Sequence, residues 1–205
     1  DRLMNAGQQL YAEKKYAQAL DKFTTAIGKD PTYWQAYLWA ARSLIAKGNW
    51  SDAIANGKKA FELAPKGENV IPVFAEALFG GGADALKNGR FAESVNLFAE
   101  FLKLEPGNTR AWLNVGKAYL GQQNFRQALS AFAQGLASGG GAERTELVRE
   151  LLNGGVQAFS SGKYRESIDL LKEFLKYDSK NLQAYLNLAK SYWESGDKGK
   201  ALDAF

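Results

Sequence analysis

The sequence predicts an all-α chain built as an array of stacked helix pairs, and three observations carry that reading. Apolar residues recur at helical spacing in two short runs per unit. In residues 109–137, Trp112, Val115, Gly116 and Tyr119 form one stripe, and Phe125, Ala128, Leu129 and Phe132 form another beyond a polar break. Small residues recur at Gly7, Ala41, Gly82, Gly116, Gly155 and Ala189, at steps of 34, 41, 34, 39 and 34. Only four prolines occur and no run alternates Val, Ile and Thr, which argues against sheet. Helices this short are marginal alone, so each pair must bury its stripes against its neighbours, in layers rather than around one centre.

The first unit is the most complete. Ala6, Gly7 and Leu10 lie on its first helix, Tyr16 at the turn, Ala19, Phe23 and Ala26 on its second, and Pro31 just beyond. Eight such matches in one register, at a period of 34 residues, resemble the tetratricopeptide repeat family over essentially the whole chain. The resemblance implies a right-handed superhelix, a solenoid of about six repeats. They fall at about residues 1–33, 34–67, 75–108, 109–142, 148–181 and 182–205, the last cut short, and we read them as one domain.

Pro31 and Pro65 follow second helices, where the ring cannot continue a helix. Gly48, Gly89, Gly162 and Gly196 share one place in the turn between paired helices, the left-handed position that penalises a Cβ. Lys14 and Gln123 stand there in repeats 1 and 4, which predicts less regular turns. Extra residues at about 68–74 predict a lengthened first helix in repeat 3, with Pro72 at its first position. A second insertion follows Ser138-Gly139-Gly140-Gly141. Residues 142–146 are expected to begin the long first helix of repeat 5, and the glycine run is the expected hinge.

Offsetting the chain by 73 residues aligns more than fifteen identities, among them Ser94 with Ser167, Asn108 with Asn181, Asn114 with Asn187, and Lys117 with Lys190. Repeats 3 and 4 therefore read as a duplicated unit whose second copy is repeats 5 and 6. Both copies exchange a large and a small residue between paired helices, Ala85 with Phe101 and Ala158 with Phe174, so that the volume lost on one helix is returned on the other.

Composition excludes several function classes. Without cysteine or histidine there is no thiolate nucleophile, imidazole base, disulfide or Cys/His zinc site. We therefore expect no catalytic residues, no cofactor and no metal. A net charge of +4 without a basic run disfavours nucleic acid, and no apolar stretch approaches the roughly 20 residues that cross a bilayer. The expectation is a soluble chain, cytoplasmic or periplasmic. The run Gly80-Gly81-Gly82 has no strand on either side and is not a dinucleotide loop, so close helix packing is the expected reason for it.

In the resembled family the first helices line a concave face that holds an extended or helical peptide. Carried over by position, that face displays Met4, Asn5, Gln8 and Tyr11, then Leu38, Trp39, Arg42 and Ile45. Repeats 3 and 4 contribute Phe79, Gly80, Ala83, Leu86, Leu113, Asn114, Lys117 and Leu120. Repeats 5 and 6 contribute Leu152, Asn153, Val156, Phe159, Leu186, Asn187, Lys190 and Trp193. Candidate peptide-binding residues are Asn5, Gln8, Trp39, Arg42, Asn114, Lys117, Asn153, Asn187, Lys190 and Trp193. Asn5, Asn114, Asn153 and Asn187 share one helical position, and a carboxamide can both donate to and accept from a peptide backbone. The pairs Asn114/Lys117 and Asn187/Lys190 each share one helix face, and with Arg42, Arg110 and Arg149, against Glu76 and Glu194, they are expected to favour an acidic ligand. The family's carboxylate clamp of two Lys, two Asn and one Arg is absent from repeats 1–3 and incomplete in repeats 4–6.

The function expected is a non-enzymatic adaptor or scaffold that binds a peptide or partner helix, acidic in character, along the concave groove. A second reading is a substrate-recruiting or assembly arm of a larger enzyme or bacterial envelope complex. A third is self-association.

Overall fold

A computed structural model describes residues 2–139 and 141–204, which form twelve α-helices and one short 3-10 turn. In order these are α1 (Arg2–Ala12), α2 (Tyr16–Lys29), α3 (Trp34–Ala46), α4 (Trp50–Leu63), α5 (Val70–Lys87) and α6 (Phe91–Leu104). They continue as α7 (Thr109–Gly121), α8 (Phe125–Ala137), the 3-10 turn Gly141–Glu143, α9 (Arg144–Ser160), α10 (Tyr164–Leu175), α11 (Leu182–Glu194) and α12 (Lys198–Asp203). No strand occurs among the described residues.

The chain forms two compact units, Asp1–Ala85 with Lys103–Glu105, and Leu86–Leu102 with Pro106–Phe205. The division falls inside repeat 3 and not at the glycine run after Ser138. Gly140 of that run lies outside the described residues.

In the first unit α1 packs on α2, α2 on α3 and α3 on α4, and α1 also touches α3. Phe23 on α2 is fully buried, and its ring fills the space above Gly7 on α1, where an added Cβ would lie 2.4 Å from a ring carbon. Burying a side chain of this size contributes about 2–3 kcal/mol. Leu38, Ala41, Ala60, Val70 and Val73 join α3, α4 and α5 in one core cluster. The Trp50 ring lies directly against Gly80, 2.1 Å from where a Cβ would sit. Close packing of Trp50 on α4 thus accounts for Gly80 within α5.

The second unit repeats the arrangement. Adjacent helices from α7 to α12 pack in sequence, and α7 touches α9, α8 touches α10, and α9 touches α11. First helices thus follow first helices, and second helices follow second. Phe132 occupies the space over Gly116 as Phe23 does over Gly7. Ala158 and Phe174 are buried in the same cluster with Leu147, Leu151, Leu170 and Leu171. Ser167 is fully buried, donates to the Gly155 carbonyl at 2.7 Å and lies 2.9 Å from the Ser191 hydroxyl. A buried hydroxyl satisfied in this way avoids the penalty of an unpaired polar atom.

The turns correct one expectation. Lys14 and Gln123 adopt φ of 60° and 56°, the same left-handed conformation as Gly48 at 70° and Gly162 at 71°. The closing bonds match too: Lys15 N–H donates to Leu10 O at 2.9 Å and Asn124 N–H to Tyr119 O at 2.8 Å, as Asn49 does to Leu44 at 2.9 Å. The turn closes in the same way with or without glycine, because docking of the two helices outweighs the cost of a Cβ in this conformation.

Two helix starts also shift. Pro72 is the third residue of α5, still in the first turn where an N–H has no helical acceptor. Residues 141–143 form the 3-10 turn, so α9 proper begins at Arg144. The lengths of α5 and α9, 18 and 17 residues, exceed the 13 of α3, α7 and α11.

Candidate functional site

Each unit carries a cleft lined by first helices. In the first unit, Tyr11 of α1, Arg42, Ile45 and Ala46 of α3, and Pro72, Val73 and Glu76 of α5 surround a volume of about 360 Å³. Arg42 lies 4.7 Å above the Trp39 ring, a cation–π arrangement that holds the guanidinium at the cleft. Trp39 itself is half-buried, edge-on to Tyr11 at 5.3 Å and stacked on Phe23 at 6.0 Å. Burial pushes the Tyr11 phenol above its usual pKa, with Tyr16 and Glu76 adding to the shift and Arg42 opposing it. Tyr11 is therefore a neutral hydrogen-bonding group at physiological pH.

In the second unit, Arg110, Leu113, Asn114 and Lys117 of α7 face Ala142, Glu143 and Glu146 across a cleft of about 320 Å³. Asn114 and Lys117 come together here because they are one helical turn apart. The Lys117 ammonium donates to the Glu146 carboxylate, and Arg149 stands 3.5 Å from that carboxylate. These bonds, chiefly the one from Lys117, hold Glu146 below the usual carboxylate range. The Asn114 carboxamide makes no hydrogen bond to another described residue, which leaves its donor and acceptor available at the cleft.

The other candidates are dispersed. Asn5 is exposed and Gln8 half-buried on α1. Asn153 donates to Glu150 at 3.4 Å, and Asn187 accepts from Gln183 at 3.4 Å, each within its own helix. Lys190 is exposed and makes no ion pair among the described residues. Trp193 is 52% exposed, with the Lys198 ammonium 5.2 Å above its ring.

Part of the expected inner face is core. Met4, Leu38, Leu113 and Leu120 are only 3–6% exposed. Their side of each helix is covered by packing neighbours, so the polar positions one turn on are the ones left at the surface. Sequence reasoning also missed Glu146 as a partner for Lys117. The two are 29 residues apart, and no local spacing could pair them.

Among the described residues no cluster of acidic, His or Cys side chains could hold a metal, and no helix is long and apolar enough to cross a membrane.

Models of the tetratricopeptide repeat match residues 10–71, and residues 79–143 and 152–205. The chain is 26% identical over 200 residues to TPR repeat-containing protein YpiA of Bacillus subtilis (strain 168), covering 96% of this chain and 44% of that protein. It is 27% identical over 204 residues to DnaJ homolog subfamily C member 3 of Rattus norvegicus, covering 95% and 39%. The chain thus spans less than half the length of these relatives. Among solved structures, a MamA crystal structure matches with a TM-score of 0.52 at 17% identity, covering 85% of this chain and 95% of that one. A tetratricopeptide repeat protein from Parabacteroides merdae matches at 0.52 and 16% identity, covering 99% and 76%. These two likenesses concern the fold.

Proposed function

Since the chain belongs to the tetratricopeptide repeat family, whose members generally mediate protein–protein interactions, we propose that it is a non-enzymatic adaptor holding a peptide or partner helix against its first helices. The observation that carries this reading is the composition of the two clefts. The first joins apolar walls of Ile45, Pro72 and Val73 to Tyr11, Arg42 and Glu76, and the second is mainly polar, with Arg110, Asn114, Lys117, Glu143 and Glu146 around Leu113 and Ala142. Concave sites of mixed character suit a peptide, whose backbone needs both donors and acceptors. Arg42, Arg110, Lys117 and the exposed Lys190, set against Glu76, Glu143 and Glu146, are the charged groups an acidic side chain of that peptide would meet.

The test is a peptide array followed by titration of the best binder into wild type and an Asn114→Ala/Asn187→Ala double variant. The proposal expects roughly tenfold weaker binding, the loss of about two modest hydrogen bonds. Equal affinities would remove the amides from the site.

A second reading, that the chain is the recruiting or assembly arm of a larger enzyme or envelope complex, is favoured by the relatives' greater length. Its test is whether the isolated chain and the full-length protein bind the same peptide, with the activity residing outside the repeats.

A further inference from the structure

We propose that Arg110, Asn114 and Lys117 form a subsite for one acidic side chain of the partner, and that the chain's own Glu146 occupies this subsite until the partner's carboxylate takes its place. The proposal rests on the peptide-binding reading above and assigns it a specificity element.

The three residues lie at i, i+4 and i+7 on α7, one continuous stripe. Glu146 reaches that stripe from the first turn of α9, with its carboxylate hydrogen-bonded to Lys117 and the Arg149 guanidinium beside it. Arg110 adds to the positive field that Lys117 and Arg149 place on the Glu146 carboxylate. Glu143 also lines the cleft, so with Glu146 in place its two carboxylates balance Arg110 and Lys117, and withdrawing Glu146 leaves a net positive charge with an amide alongside for an incoming carboxylate.

One fact argues that Glu146 stands in for a ligand rather than fastening the fold: the Lys117 and Glu146 side chains are 30% and 38% exposed, so their bond can open to solvent without disturbing the core. Glu146 comes from the residues that set repeat 5 apart, so the pairing belongs to this cleft.

An exchange of one carboxylate for another leaves the lysine's bond intact, and the affinity held back is what the exposed pair is worth. Surface pairs of this kind correspond to roughly two- to fivefold in binding. The probe is fluorescein-labelled, acetylated and amidated tetraglutamate, with tetraglutamine as control, read by anisotropy on the whole chain. Glu146→Gln should bind tetraglutamate about two- to fivefold tighter than wild type. Adding Lys117→Gln should abolish that increase, and tetraglutamine should not distinguish the variants. Equal binding of tetraglutamate to wild type and Glu146→Gln overturns the subsite, as does no binding to any variant. Neither result touches the peptide reading, which the peptide array and its titration test separately.

Discussion

Lys117 on α7 and Glu146 on α9 meet across 29 residues of sequence, joined by a charge-assisted hydrogen bond at the mouth of a cleft. Because Glu146 is held below its ordinary pKa, chiefly by that bond, its contribution to stability is present above the unfolded carboxylate value, near pH 4.3. It is lost as pH falls through the depressed folded value. Both side chains are substantially solvated, so the contribution is modest. A double-mutant cycle of Lys117→Gln and Glu146→Gln should give a coupling of about 0.2–1 kcal/mol at neutral pH. In urea unfolding it should shrink as pH falls below the ordinary carboxylate range.

Lys14 and Gln123 hold left-handed turns that four other repeats close with glycine. A Cβ there costs about 1 kcal/mol or more, offset in part by the greater freedom glycine gives the unfolded chain. Lys14→Gly and Gln123→Gly should each raise stability by about 0.5–1 kcal/mol, seen as a higher urea midpoint at unchanged slope.

Gly116 and Gly28 predict opposite signs for the same substitution. A Cβ on Gly116 would lie 2.1 Å from the Phe132 ring, whereas one on Gly28 meets nothing within 4 Å. Gly116→Ala should destabilise by about 1–3 kcal/mol through overpacking. Gly28→Ala, in the last turn of α2, should stabilise by about 0.5–1 kcal/mol from helix propensity. Thermal unfolding of the two variants checks both.

Asn181 and Asn187 on α11 separate a structural amide from a surface one. Asn181 caps the helix, accepting the Ala184 N–H at 3.0 Å, while Asn187 is bonded only to Gln183 through its side chain. Asn181→Ala should cost about 1 kcal/mol of stability. Asn187→Ala should cost within about 0.5 kcal/mol, and its effect should appear in peptide affinity instead.

Whatever recurs with the repeat could be read from the chain. The glycines under Phe23 and Phe132 follow from spacing, and the Ala158/Phe174 exchange of volume places both residues in one core cluster. Asn108 and Asn181, identical at the 73-residue offset, turn out to be matching N-caps. What escaped depends on tertiary context. Lys14 and Gln123 hold a conformation that their residue types disfavour, because helix docking outweighs one unfavourable φ. Helical periodicity separates apolar from polar faces but does not say how far packing wraps around each helix, and so Met4, Leu38, Leu113 and Leu120 lie deeper than a groove lining requires. The insertion before repeat 5 was visible as extra length. That its Glu146 returns to α7 was not.

The claim on which the function depends is that a bound peptide lies against the first helices. Side-chain amide and backbone NMR shifts, recorded while the best array peptide is titrated in, test it most directly. The account predicts that perturbations concentrate on α1, α3, α5, α7, α9 and α11, with the Asn114 and Asn187 carboxamides among the largest. Shifts confined to α2, α4, α6, α8, α10 and α12 would contradict it.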